Sequence, residues 1–238
     1  HRIISKAFMI AYATDDQGHR EILGFGVYAN ESKETWKSFI RDLKARGLRN
    51  VLMITSDAHE GLYDAISKEF PQAAWQRCQF HFSKNIAEKV PKKYQAGIRS
   101  ELSEMFNCTT IEEARRKRDS IIADYQDVAE SAMTCLDEGF ESSMTAMILP
   151  KYLRQYFRTS NHIERINREL KRRSKVIGVF PNEASILRLM GSVLMELNDT
   201  AQARKALFSP KTYNNLMSAE VKSKLIILAN EQHLLRVS

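Results

Sequence analysis

Two acids in this chain stand where an acid is costly unless it has a task. The first, Asp57, ends the run Leu52-Met-Ile-Thr-Ser56 and is followed by Ala-His-Glu-Gly61. An apolar run that stops in a carboxylate and then a glycine reads as a buried strand. It would deliver Asp57 to a sheet edge where a loop opens toward a ligand. The second acid, Glu164, lies in Thr159-Ser-Asn161-His-Ile-Glu164-Arg-Ile-Asn167-Arg168-Glu-Leu-Lys171-Arg172-Arg173. Carboxylates among arginines suit metal-dependent work on a phosphodiester, the acids holding Mg²⁺ and the bases the phosphates.

Each acid also has a plainer reading. An Asp after a strand often caps the next turn, and Glu164 is spaced to pair with Arg168 at i,i+4. The helix drawn through residues 160–174 sharpens the choice. Ile163, Ile166 and Leu170 share one face and should pack inward. Asn161, Glu164, Arg168, Lys171, Arg172 and Lys175 fall on or beside the opposing stripe. A solvated charged face explains the cations but not Glu164 among them.

The elements that must position these residues follow from periodicity. Ile3 to Ala13 and Glu21 to Tyr28 are apolar runs separated by Thr14-Asp-Asp-Gln-Gly18-His, an antiparallel hairpin. Ser32 caps a helix to about Arg46 with Trp36, Phe39, Ile40 and Leu43 on one face, and Gly47 ends it. Val51 to Ser56 is a strand, Leu62 to Phe70 a helix stopped by Pro71, and Ala74 to Phe80 another strand. From Phe82 to Leu149 the pattern is helical throughout. Glu183 to Leu197 is an apolar helix after the loop Gly178-Val-Phe-Pro181-Asn, and Ser209-Pro210 starts a helical tail. The fold class is α/β, a mixed sheet flanked by helices and interrupted by an all-helical insertion.

With 238 residues, 43% of them apolar, the chain can bury a substantial core and is not a disordered polymer. The net charge is +7, unevenly spread. Between Arg158 and Lys175 seven Lys/Arg face two acids, Glu164 and Glu169, the footprint of a nucleic-acid partner. Three cysteines, at 78, 108 and 135, form no disulfide framework and point to a reducing, cytoplasmic compartment. No apolar run approaches the ~20 residues that span a bilayer. The first residues do not read as a secretion signal, and a strand so close to His1 suggests that the chain begins inside a larger protein.

Four linked stretches carry a specific resemblance. They are Ser56-Asp57-Ala-His-Glu-Gly-Leu, Trp75-Gln-Arg-Cys78-Gln-Phe-His81-Phe-Ser-Lys-Asn85, the stretch around Glu164, and Gly178-Val-Phe-Pro-Asn182. In order and spacing they resemble the mutator-type transposases of bacterial insertion sequences, from residue 1 to roughly 208. The resemblance implies an RNase H-like domain with three metal-binding acids, two Asp and a Glu, acting with two Mg²⁺ or Mn²⁺ ions. Asp57 matches the second Asp and Glu164 the Glu. The domains implied are 1–81 and 158–205 for the RNase H-like core, 82–157 for a helical insertion, and 206–238 for a helical tail. Asn161, Arg165, Arg168, Lys171, Arg172, Arg173 and Lys175 would bind double-stranded DNA, both transposon ends and target. A homodimer, associated with the bacterial nucleoid and not with a membrane, follows by the same analogy.

Two departures stand out. The family's first Asp precedes the hairpin, and Asp15 and Asp16, in the turn, are poor substitutes, so that acid is expected upstream and the 238 residues alone are expected to be inactive. Ala201 stands where an aromatic is expected. Cys78-x-x-His81 has the spacing of a zinc pair, but a structural zinc needs four ligands. The resemblance favours a supporting role beside Asp57. Other readings are a DNA- or protein-binding transposase remnant without activity, and an RNase H-like nuclease that never joins strands.

Overall fold

Alternation and turn chemistry build the first element. In the computed structural model, which describes residues 4–237, β1 (Ala7–Thr14) and β2 (Arg20–Tyr28) form an antiparallel hairpin. Asp15 closes its turn, its Oδ1 accepting from Gln17 N at 2.9 Å and His19 N at 2.8 Å. Gly18 sits there at φ +81°, where a Cβ would lie 2.4 Å from the Phe208 carbonyl oxygen, so glycine is required. Ala11 pairs with Gly24 and Tyr12 with Ile22, leaving Leu23 as a bulge.

The described chain forms two compact units. One comprises His1–Asn50, Glu60–Phe70 and Asn161–Ser218; the other comprises Val51–His59, Pro71–Ser160 and Ala219–Ser238. In the first, the hairpin is joined by α1 (Lys33–Ala45) and α2 (Glu60–Glu69). Ser32 and Thr35 make a reciprocal capping box on α1, and Phe39, Ile40 and Leu43 are its buried stripe. The second unit carries β3 (Met53–Ser56), β4 (Ala74–Arg77), α3 (Gln79–Glu88), α4 (Gln95–Phe106), α5 (Ile111–Tyr125), α6 (Glu130–Ser143) and α7 (Lys151–Phe157). The first unit resumes with α8 (Asn161–Lys175), α9 (Glu183–Gln202) and α10 (Pro210–Leu216). Finally, α11 (Ala219–Val237) belongs to the second.

Each unit has its own core. In the helical one, Phe82, Ile86, Ile98, Leu102, Met105, Ile121, Leu136 and Phe140 are fully buried. At its floor the buried Gln76 side chain donates to Ser143 O (2.7 Å) and accepts from Ala146 N (2.6 Å), satisfying groups that would be costly to leave bare. The side-chain amide of Gln232, from α11, accepts from Trp75 N (2.8 Å) and donates to Trp75 O (2.9 Å). It occupies hydrogen-bonding sites of β4 that a neighbouring strand would otherwise use. In the first unit Ile166 and Leu170 of α8 and Met190, Val193 and Leu194 of α9 pack with the hairpin's Phe8, Ile10, Ile22 and Phe25.

The architecture is mixed α/β and mostly helical. Among the described residues four strands make two separate two-stranded sheets, β1–β2 antiparallel and β3–β4 parallel, where one mixed sheet was expected. The strand expected over Ala74–Phe80 ends at Arg77, because Phe82 N bonds to Cys78 O and starts a helix there. β3 is half-buried, with only Ser56 buried, where a buried strand was expected. The apolar helix after Asn182 runs on to Gln202, and the tail divides into α10 and α11. No helix among the described residues is long and apolar enough to cross a membrane. All three cysteines are free thiols.

Candidate active site

Parallel pairing sends the C-terminal ends of β3 and β4 to the same edge, the edge where open α/β sheets place ligands. Asp57 is the first residue past β3, and it is exposed. Three hydrogen bonds hold the Ser56–Asp57 segment. Ser56 Oγ donates to Asp57 O (2.8 Å) and accepts from Trp75 Nε1 (2.9 Å), while Cys78 N donates to Ser56 O (2.7 Å). Among the described residues the carboxylate itself accepts only a long contact from His59 N at 3.4 Å, a weak version of the turn cap its position allows. A fixed backbone thus presents an open carboxylate.

Cys78 and His81 follow at that edge, one as the N-cap of α3 and the other within its first turn. Cys78 is fully buried. Its sulfur accepts from Ser160 N (3.3 Å) and Ser160 Oγ (3.2 Å). Gln79 N donates to Arg158 O (3.0 Å), and Thr55 Oγ1 donates to Phe157 O. Residues 157–160, the approach to α8, are therefore stitched to the ends of β3 and β4. Cys78 thus has an anchoring part in that segment. Ser160 and Thr55 share it and were not singled out from the sequence, although Ser160 stands inside the stretch that carries the resemblance.

Helix α8 carries the other site residues. Ile166 and Leu170 are its buried stripe, Ile163 and Glu164 are half-buried, and Asn161, Arg165, Arg168, Lys171, Arg172 and Lys175 are exposed. Among the described residues Arg165, Arg168, Lys171 and Lys175 form no ion pair. Arg172 and Arg173 differ. Both grip Glu169, at 2.6 and 2.8 Å, and Arg173 also reaches Glu196 at 3.6 Å. Their hydrogen bonds hold the Glu169 carboxyl down to about 2. His162 stacks on Tyr12 with centroids 5.2 Å apart. Burial, then the charges of Arg20, Arg165 and Arg204, push its pKa down. Asp57, Cys78 and His81 belong to one unit, Asn161 through Lys175 to the other.

A family model described as "Transposase, Mutator family" matches residues 1–203. The chain belongs to that family. It is 39% identical over 217 residues to the transposase of insertion sequence element IS256 in transposon Tn4001 of Staphylococcus aureus, covering 90% of this chain and 54% of the relative. It is 36% identical over 198 residues to the IS1081 transposase of Mycobacterium tuberculosis, covering 83% and 48%. To the ISRM5 transposase of Rhizobium meliloti it is 32% identical over 197 residues, covering 83% and 50%. This Mutator-family chain thus spans about half the length of the curated relatives it matches. Chemically, its site residues offer hard oxygen donors on a fixed edge and a cationic helix face.

Proposed function

We propose that this chain is the catalytic part of a DNA transposase, an RNase H-like domain that cuts DNA and joins strands. The observation that carries the reading is Asp57, a carboxylate left open at the C-terminal edge of a parallel strand pair, in a chain of the Mutator family. Oxygen-only donors such as Asp57 and Glu164 fit a hard cation, Mg²⁺ or Mn²⁺. When bound, such ions supply the positive charge that in-line attack at phosphorus requires. A third acid, from outside these 238 residues, would complete the set by family analogy.

The chain's own residues have separable tasks. Ser160, bonded to Cys78, fixes the approach to α8. Glu164 follows four residues later, a span of at most ~14 Å even when extended. Arg165, Arg168, Lys171 and Lys175 would hold phosphates without reading bases, with Asn161 beside them and Arg172 and Arg173 in reserve behind Glu169. Two transposon ends would call for a homodimer.

The test uses a chain extended to the relatives' full length. Asp57→Asn and Glu164→Gln keep shape and remove the charge a hard cation needs, so cleavage and strand joining should drop by orders of magnitude with DNA binding intact. Glu169→Gln, ~140° away around the helix, should cut and join nearly normally. Strand joining by Glu164→Gln would sink the assignment. A parent protein that cuts but never joins would be a nuclease instead. The 238 residues alone should show no Mg²⁺-dependent cleavage.

A further inference from the structure

The hairpin, the start of α8 and the end of α9 bring together charges that α8 alone does not reveal. Tyr12 and His162 stack as a half-buried aromatic platform. Arg20, at the start of β2, donates from Nη2 to Lys205 O at 3.2 Å, while its Nε is buried without an acceptor among the described residues. Arg204 and Lys205 directly follow the C-cap of α9. Their loop is pinned to the hairpin turn by Leu207 N donating to Gly18 O (2.9 Å), and Asn198 Oδ1 holds Ile22 N (2.8 Å). Arg165 lies three residues beyond His162, one helical turn along the same face.

The backbone gathers the three arginines around these rings. Arg20 pairs across the hairpin with Thr14, two residues from Tyr12, Arg204 precedes the Lys205 whose carbonyl Arg20 grips, and Arg165 lies one turn from His162. Among the described residues none of the three arginines forms an ion pair. Three like charges converging on one platform repel one another, and an anion is what relieves that repulsion.

We propose that Arg20, Arg165 and Arg204, over the Tyr12–His162 stack, form a phosphate-binding site for the backbone of duplex DNA. The proposal rests on the DNA-transposase reading and extends its contact surface to the hairpin and the end of α9. Arginine suits the task because its planar fork grips phosphate bidentately.

The experiment measures the 238-residue chain against a fluorescent duplex of about 25 base pairs across a salt series, beside Arg20→Gln/Arg204→Gln and Arg20→Lys/Arg204→Lys. Each lost phosphate contact should flatten the log–log salt slope by about 0.9. The glutamine pair should therefore lose close to two units of slope and bind about tenfold more weakly, while the lysine pair keeps most of the slope. In parallel, the Arg20 Nε–Hε NMR resonance should move with duplex and with inorganic phosphate. An unchanged slope in a folded glutamine variant, with wild type binding steeply, overturns the site and leaves the DNA reading standing. A wild-type chain that binds no duplex removes the DNA reading itself. Movement with inorganic phosphate but not with duplex overturns the nucleic-acid assignment in favour of a small-anion site.

Discussion

Helices α5 and α8 are both 15 residues long and both crowded with Lys and Arg, yet their cations are differently engaged. On α5, Arg115 meets Glu141 at 3.1 Å, Lys117 meets Glu104 at 2.9 Å and Glu101 at 3.7 Å, and Arg118 meets Asp119 at 2.7 Å and Asp137 at 3.5 Å. On α8, Glu169 gathers Arg172 and Arg173, and Arg165, Arg168, Lys171 and Lys175 form no ion pair among the described residues. Charge density alone is therefore a poor marker of a ligand face. A helix whose cations meet acids of its own unit has little field left for a polyanion; one whose cations lack such partners releases DNA counterions when it binds.

The largest expected effect tests that contrast directly. Changing Arg165, Arg168, Lys171 and Lys175 of α8 to Gln should flatten the salt slope of duplex binding by roughly three to four units, at about 0.9 per contact. At ~0.1 M salt the affinity should fall at least about a hundredfold. The matched α5 set, Arg115, Arg116, Lys117 and Arg118 to Gln, removes the same formal charge and should change the slope by under about one unit. Equal losses from the two sets, read by fluorescence anisotropy, would break the comparison and leave net charge as the only determinant.

The elements that carry α8 could largely be read in the sequence, whereas the pairing of the cations could not, and the unread part has a physical reason. The hairpin turn, the Ser32 cap, the Asp57 position and the inward Ile166 and Leu170 of α8 rest on local pattern and lie where periodicity puts them; the first strand starts at Ala7 instead of Ile3, which lies outside the described residues, and Ile163 is only half-buried. Gln79-Phe-His-Phe alternates like a strand, so the pattern extends β4 three residues past its true end at Arg77. The bonds from Phe82 N to Cys78 O and from Gln79 N to Arg158 O make it helix instead. Two two-stranded sheets replaced one mixed sheet because pairing depends on which edges meet. On β4 a Gln232 side chain, more than 150 positions away, takes up the Trp75 backbone. The choice of Arg172 and Arg173 as partners of Glu169 was open among several i±3 and i±4 neighbours. Arg20 and Arg204 carried no signal at all, because only the tertiary fold sets the hairpin turn against the loop after α9.

Glu169 gives the next test, because it decides how many α8 cations are free. Glu169→Gln should release Arg172 and Arg173, steepen the salt slope by one to two units and tighten duplex binding several-fold at low salt. The same carboxyl sets a pH window. Its pKa falls on folding from 4.5 to about 2, so the stabilisation is complete above 4.5 and lost as pH drops toward 2. Melting curves of wild type and Glu169→Gln should therefore differ at pH 6 and converge as pH falls through that window. A gap that stays constant with pH would mean that the ion pairs do not hold the two arginines in solution.

The smallest expected effect lies within α5, where pairing and packing can be told apart. Arg115 and Glu141 are both largely exposed, with side-chain exposures of 46% and 63%. Such a pair contributes only a few tenths of a kcal/mol, so Arg115→Gln should lower Tm by no more than about 2 °C. Arg118 is only 20% exposed and lies over the Phe140 ring, 4.8 Å from its centroid. Its stem covers apolar surface, and its cation–π contact is worth about 0.5–1 kcal/mol beyond the ion pairs. Arg118→Gln should therefore destabilise more than Arg115→Gln, by about 2–4 °C in Tm, with both salt slopes near wild type. The reverse order would mean that α5's exposed ion pairs, and not its packing, hold its cations in place. The basis for separating a structural cationic helix from a binding one would then have to move from pairing to burial.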